Sequence, residues 1–170
     1  RYDIINAVLT DVDEVLTEVR DLDVARISER AMALQKLSRR ADFLPTVIVA
    51  TRTANMIEHS KDSFDSEQRK SYIRQLPKPE LFKEAAEDEL WQACKIAKEK
   101  AKALEEKNDF AGLFNVLAGL RQGIDRFFDD VLVMTNDVSQ KTNRLSLVWQ
   151  VHELYCQLAY FREIVQENKT

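Results

Sequence analysis

Residues 108–134, NDFAGLFNVLAGLRQGIDRFFDDVLVM, carry large apolar side chains at helical spacing on both sides of a break marked by glycine. The Asn108-Asp109 pair is typical of a helix N-cap, because short polar side chains accept hydrogen bonds from the first free amides. The apolar face that follows consists of Phe110, Leu113, Phe114, Leu117 and Leu120. Gly119 and Gly123 bracket the break, and the apolar pattern then continues to Met134. The stretch therefore predicts helical structure that contributes one apolar face to a core.

The same helical spacing recurs on both sides of this stretch. It predicts helices over residues 2–20, 23–41, 45–59 and 80–106, the first either continuous or broken near Asp11. A final helix follows Asn136-Asp137 and reaches Val165. Three glycines and three prolines in 170 residues are too few for the tight turns of a β-sandwich or barrel. The sequence therefore predicts an all-α fold, a helical bundle of about six to eight helices.

The chain is long enough for one domain with an ordinary core. Residues 60–79 are rich in Ser, Asp, Lys and Gln, which predicts a long loop or linker, with a short helix over residues 67–74 as the alternative. The first residue is Arg1 rather than Met, and no signal segment follows it. We therefore expect residues 1–170 to form a single helical domain that is a fragment of a longer chain.

Charge is distributed unevenly along the chain. The net charge at pH 7 is −4, yet residues 24–78 contain 11 Lys and Arg against 6 Asp and Glu. A solvated helix surface explains such a block, as does a phosphate-binding face, and charge alone favours the solvated surface. Cys94 and Cys156 stand alone in apolar surroundings, which indicates neither a disulfide framework nor a zinc site. No apolar run approaches the length of a membrane-spanning helix.

The sequence motifs of common catalytic sites are missing. The chain has no GxGxxG, no GxxxxGK[ST], no HExxH and no GxSxG. His59 and His152 lack carboxylate or Cys partners at ligand spacing, so both are interpreted as surface or half-buried helix residues. The aromatic residues at helical spacing are interpreted as core: Phe127, Phe128, Tyr155 and Phe161. The sequence therefore predicts no catalytic residue and no bound metal.

Three segments in the second half share the motifs of one family. Residues 108–110, 117–134 and 143–145 correspond in order to runs of the form DYxxAL, LAxLRxPVDxFFDxVMVM and NRLALL. With these segments the chain resembles the C-terminal region of the bacterial-type glycyl-tRNA synthetase beta subunit, over essentially its whole length. Thr51 stands where the family has Lys before an arginine, and Ala85 and Gly123 replace prolines of the family's pattern.

The resemblance implies an all-helical anticodon-binding domain of the DALR type, which in this family binds the anticodon arm of tRNA-Gly. Glycine and ATP are handled by the alpha subunit, or by an alpha-like domain in organelle forms that fuse the two. We therefore expect no catalytic site and no cofactor in this chain, with ATP and Mg serving the whole enzyme. The expected partners are tRNA-Gly and the alpha subunit or alpha-like domain, but neither DNA nor a membrane. The expected location is the bacterial cytoplasm, or a chloroplast or mitochondrion for an organelle enzyme.

The predicted tRNA-binding residues are Arg39, Arg40, Arg52, Asn55, Asn143 and Arg144. Arg52 offers a planar set of donors for a phosphate or a guanine edge, and Asn55, one helical turn later, pairs with a base edge. For each cation the alternative is an ordinary helix-surface charge, and for Asn143 and Arg144 it is a structural role in packing the last helix. The alternative function is a helical protein-interaction module for subunit or partner assembly.

Overall fold

The computed structural model of the chain describes residues 1–9, 24–60 and 73–164. These residues contain seven α-helices, two short 3₁₀-helices and no strand, so the predicted all-α class is confirmed. The α-helices are α1 (Tyr2–Leu9), α2 (Val24–Leu37), α3 (Phe43–His59), α4 (Ala85–Glu105), α5 (Phe110–Gly119), α6 (Arg121–Asp130) and α7 (Val138–Cys156). The 3₁₀-helices are Pro79–Leu81 and Phe161–Glu163.

Helix α7 lies at the centre of the described bundle. Every residue from 143 to 152 is buried, the polar ones included. A helix that is buried on all sides belongs to the interior of a fold. Helices α3 and α4 pack against α7, α5 and α6 pack against α4, and α6 also contacts α3. The outer sides of the helices around α7 therefore provide the exposed surface of the described bundle.

The predicted helix caps are confirmed where the structure describes them. The Asp109 carboxylate accepts a hydrogen bond from the Gly112 amide at 2.8 Å, and the Asp137 carboxylate accepts one from the Gln140 amide at 3.1 Å. Each carboxylate satisfies an amide that has no partner within its helix. The first residue of the helix predicted over residues 23–41 and most of the loop predicted at residues 60–79 lie outside the described residues.

Helix α4 begins at Ala85, so the predicted start at Glu80 is wrong. The carboxylate of Glu87 turns back and accepts hydrogen bonds from the backbone amides of Lys83 and Glu84, at 2.8 and 2.9 Å. This contact caps the first turn of the helix. The preceding residues, Pro79–Leu81, form a separate 3₁₀ turn instead of the predicted first turn of α4.

The last helix is shorter than predicted. Helix α7 ends at Cys156, whereas the apolar pattern predicts a helix that reaches Val165, a residue outside the described part. The chain turns after Cys156, and the Tyr160 amide donates to the Ala7 carbonyl at 2.7 Å. Phe161 then packs against Tyr155 with ring centres 5.8 Å apart. The apolar residues after Cys156 therefore close the core from a 3₁₀ turn rather than from a continued helix.

His152 is buried, so the prediction of a surface or half-buried position is wrong. Its ring lies between those of Trp149 and Tyr160, with centres 5.7 and 6.0 Å away. Burial lowers the pKa of His152 to about 4, because the charged imidazolium is poorly solvated there. His152 is therefore a neutral core residue at neutral pH.

Tyr155 connects α7 to α5 through a buried hydrogen bond. Its hydroxyl donates to the Leu117 carbonyl at 3.0 Å. Replacing Tyr155 by Phe is expected to lower the free energy of unfolding by only about 1 kcal/mol, because Leu117 keeps a backbone partner in the Leu120 amide at 3.1 Å. Urea denaturation measures this change, with the exposed Tyr2→Phe as the control, and a loss no larger than that of the control would contradict it.

Within the described residues, none of the helices combines the length and apolarity needed to cross a bilayer.

Candidate nucleic-acid interface

Helix α3 presents an exposed face that runs along its whole length. Its inner face is buried against the core and consists of Val47, Ala50, Ala54 and Ile57. The outer residues recur at intervals of three or four, so they share one side of the helix. We call them the α3 stripe: Leu44, Ile48, Arg52, Asn55 and His59. Leu44 and Ile48 are 46% and 48% exposed, so the stripe begins with two apolar side chains that are open to solvent.

Arg52 is held over an aromatic ring at the middle of the α3 stripe. Its guanidinium carbon lies 4.4 Å from the centre of the Phe128 ring. Two carboxylates of α6 flank it, Asp125 Oδ1 at 3.8 Å from Nη1 and Asp129 Oδ1 at 3.9 Å from Nη2. These separations are longer than a hydrogen bond, so the N–H donors of Arg52 are able to bind a further acceptor. The Phe128 ring therefore supports the Arg52 guanidinium, which remains open to solvent.

Asn55 lies on the same face as Arg52, one turn further along α3, and is half-buried. The structure therefore places Arg52 and Asn55 together, with exposed His59 beyond them. The amide group of Asn55 carries both a donor and an acceptor, which is the combination that pairs with a base edge.

A second group of polar residues surrounds the turn between α2 and α3. We call it the turn cluster: Arg39, Arg40, Asp42, Asn115 and Arg121. Arg40 donates to both carboxylate oxygens of Asp42, at 2.9 and 2.7 Å, and to Asn115 Oδ1 at 2.8 Å. The hydrogen bonds from Arg40 lower the pKa of Asp42, and the charge of Arg121 contributes in the same direction. Arg39 and Arg121 are exposed beside this fixed arrangement.

Arg144 and Asn143 are used inside the fold, which corrects their placement on a tRNA-binding surface. Arg144 is 7% exposed, and it donates to Glu87 Oε1 at 3.1 Å and to the Leu132 carbonyl at 3.0 Å. Asn143 accepts from the Lys78 amide at 2.7 Å and donates to the Lys78 carbonyl at 3.1 Å. Their hydrogen-bonding groups hold segments of the chain together, so the structural role stated for them as an alternative is the one that the fold supports.

Sequence reasoning did not identify Glu87, the partner of Arg144, as a buried charged residue. It is fully buried, and burial alone raises the pKa of a carboxyl group. The hydrogen bond from Arg144, together with those from the Lys83 and Glu84 amides, outweighs that effect and lowers the pKa of Glu87. The result is a buried ion pair that joins α4, α7 and the segment between α6 and α7.

Across the described residues, no group of three or more His, Cys, Asp or Glu side chains is arranged to hold a metal ion. The candidate interface consists of the α3 stripe and the turn cluster.

Residues 48–159 match the family of the DALR anticodon binding domain. The chain belongs to this family. Relatives named glycine--tRNA ligase beta subunit include those of Trichlorobacter lovleyi (30% identical, 92% of this chain) and Moorella thermoacetica (30%, 97% of this chain). The relative from Anaeromyxobacter sp. is 31% identical over 92% of the chain. The chain spans about a fifth of the length of these relatives, 21% of each.

The residues matched to the DALR family extend from within α3 to just beyond α7. They include the α3 stripe from Ile48 onward and both carboxylates beside Arg52. Arg39 and Arg40 precede the matched residues. The all-helical fold and the family match together confirm the predicted DALR-type domain.

Phe128 is one of the interface residues that the sequence interpretation missed, because it assigned both Phe127 and Phe128 to the core. Phe127 is fully buried, but Phe128 is half-buried and supports Arg52. Adjacent residues of a helix point about 100° apart, so two neighbouring aromatic rings leave the helix in different directions. The Phe-Phe pair was therefore a readable signal that one ring lies nearer the surface.

Proposed function

We propose that this chain binds the anticodon arm of tRNA-Gly, as part of the beta subunit or a beta-like portion of a glycine–tRNA ligase. Membership of the DALR family and relatives named as beta subunits support the proposal. The observation that carries it is the α3 stripe, in which Arg52 rests on Phe128 and shares an exposed face with Asn55. RNA loops are read in this way, through unstacked bases whose edges contact side chains.

The charges around Arg52 indicate which part of the RNA it contacts. Asp125 and Asp129 lie within 4 Å of its guanidinium, and their negative charge disfavours the approach of a phosphate. A base edge carries no such charge, so we assign Arg52 and Asn55 to base contacts. The exposed Arg39 and Arg121 of the turn cluster are assigned to backbone phosphates, which set the register of the RNA. Leu44 and Ile48 supply apolar surface for a base between these two regions.

In this proposal the chain contributes recognition and no catalytic step. Aminoacylation of tRNA-Gly requires glycine, ATP and Mg, and we assign their binding to the alpha subunit or an alpha-like domain. That subunit or domain is the proposed protein partner. The proposed location is the compartment in which the enzyme serves translation, the bacterial cytoplasm or an organelle.

Titration with RNA tests the proposal directly. The chain is titrated by fluorescence anisotropy with the tRNA-Gly anticodon stem-loop and with one whose second and third anticodon bases are changed, each at two salt concentrations. We expect the native loop to bind about tenfold or more tightly than the altered loop, because each base-edge contact discriminates by about 1–3 kcal/mol. Both affinities are expected to fall as salt rises, because phosphate contacts release counterions.

The other outcomes separate the competing interpretations. Equal binding of both loops would reduce the function to nonspecific phosphate binding and would contradict anticodon reading. No binding at low salt, together with self-association that is insensitive to ionic strength, would favour the helical protein-interaction module.

A further inference from the structure

A groove of about 440 Å³ opens at the surface between α4 and α5, and the residues that line it do not belong to the α3 stripe. Its walls are apolar and include Ile96, Val116 and Leu120, while Lys100 and Asn115 add polar groups. None of the side chains that line it is acidic. The volume lies in the range of about 300–1,000 Å³ that is usual for small-ligand sites. The groove therefore combines apolar walls with one cation and one amide.

Asn115 connects this groove to the turn cluster. Its Oδ1 accepts the hydrogen bond from Arg40 Nη1, and because Arg40 only donates, the atom that faces it has to be the oxygen. The amino group of Asn115 consequently points away from Arg40. A ligand in the groove would find a donor in this amino group, with Lys100 in the groove and the turn cluster beside it.

We propose that the groove binds one unstacked base of the tRNA anticodon arm, with the adjoining phosphates at Lys100 and the turn cluster. The inference rests on the proposed function and adds a second base-binding position to it. The apolar walls contact the faces of the base, as protein side chains do for unstacked bases in RNA complexes. The Asn115 amino group donates to a carbonyl oxygen or ring nitrogen on the base edge. Lys100 and Arg39 attract the phosphates on either side.

The dimensions of the groove favour a base over a helix of a protein partner. On α4 the groove extends from Ala93 to Lys100, about two helical turns or roughly 10 Å. A stable protein interface buries about 800 Å² on each partner, which is far more than a groove of this length provides. Among the residues that line the groove, Ile96 is the large apolar one that is exposed, at 54%. A single base covers such a surface.

Gly119 allows the groove to be filled without disturbing the fold. It is the last residue of α5, and a Cβ added there meets nothing within 4 Å. Its backbone does not have a positive φ, so a larger residue is accepted without strain. A Leu side chain at this position would occupy space that the base needs.

The test compares three variants of the chain in the stem-loop titration: Gly119→Leu, Gly119→Ala and Ala111→Leu. Ala111 is exposed on α5 outside the groove and provides the matched control. We expect Gly119→Leu to bind the tRNA-Gly anticodon stem-loop about tenfold more weakly, the loss of one stacked base. Ala111→Leu is expected to bind as the parent chain does, and Gly119→Ala is expected to lose less affinity than Gly119→Leu because a methyl group fills less of the groove. Circular dichroism and the melting temperature confirm that all three are folded.

Methyl NMR gives a second measurement that does not depend on the variants. In the parent chain the methyl signals of Ile96 and Val116 are expected to shift when the stem-loop is added. Parent-like binding by Gly119→Leu with unmoved Ile96 signals would overturn the base site and leave the proposed function intact. Parent-like RNA binding with loss of self-association in Gly119→Leu would assign the groove to a protein contact and also overturn it. A parent chain that binds no stem-loop would overturn the proposed function and this inference with it.

Discussion

Replacement of Glu87 by Gln is expected to lower the free energy of unfolding by about 3–5 kcal/mol, because it leaves the buried Arg144 guanidinium without its counter-charge. Glu87 is fully buried and Arg144 nearly so, and their contact at 3.1 Å joins α4 to α7. Urea denaturation of the single variant measures the loss. The double variant Glu87→Gln with Arg144→Met removes both charges and is expected to lose less than the sum of the single variants. Additive losses would contradict a coupled pair.

The Glu87 pair also predicts how stability depends on pH. The pKa of Glu87 is lowered in the folded state from its usual value of 4.5. The stabilisation that ionised Glu87 gives to the folded state is therefore complete above pH 4.5. It is lost as the pH falls through the lower pKa of the folded state. The difference in stability between the parent chain and Glu87→Gln is expected to shrink as the pH drops from 5 toward 3. The comparison cancels the contribution of His152, since both proteins retain it. A difference that stays constant over this range would contradict the assignment.

The helices were predictable from sequence wherever their signals are local. The Asp109 and Asp137 caps are set by hydrogen bonds to amides three residues away. The buried residues of α3 follow the 3.6-residue period, so its inner face was readable as well. The start of α4 was missed because Glu87 turns back to amides outside its own helix, which spacing alone does not reveal.

The candidate site was predictable only on α3. Arg52 and Asn55 share a face because they are three residues apart on one helix. Arg144 follows the same spacing rules, yet it is buried, because α7 is surrounded by other helices over most of its length. Helix α7 contains many polar residues, so its sequence does not indicate a helix at the centre of the bundle. The contact of Arg40 with Asn115 joins residues 75 positions apart, so it depends on the fold and on no local pattern.

Replacement of Arg52 by Glu is expected to weaken binding of the tRNA-Gly anticodon stem-loop by about a hundredfold. The variant removes the donors that Phe128 orients and places a third carboxylate beside Asp125 and Asp129. Loss of a base-edge contact costs about 1–3 kcal/mol, and like charges next to the RNA add to that loss. The measurement is the anisotropy titration described above, at low and high salt, with the melting temperature recorded for each variant.

Two further variants decide whether the loss arises at this face. Lys107→Glu makes the same change of charge at an exposed position between α4 and α5, outside the α3 stripe and the turn cluster, and is expected to weaken binding by less than about threefold. Phe128→Leu keeps an apolar side chain but removes the ring that supports Arg52, so an intermediate loss is expected, about tenfold or less. Equal losses in Arg52→Glu and Lys107→Glu would mean that only net charge matters, and the α3 stripe would then not be the surface that reads the anticodon.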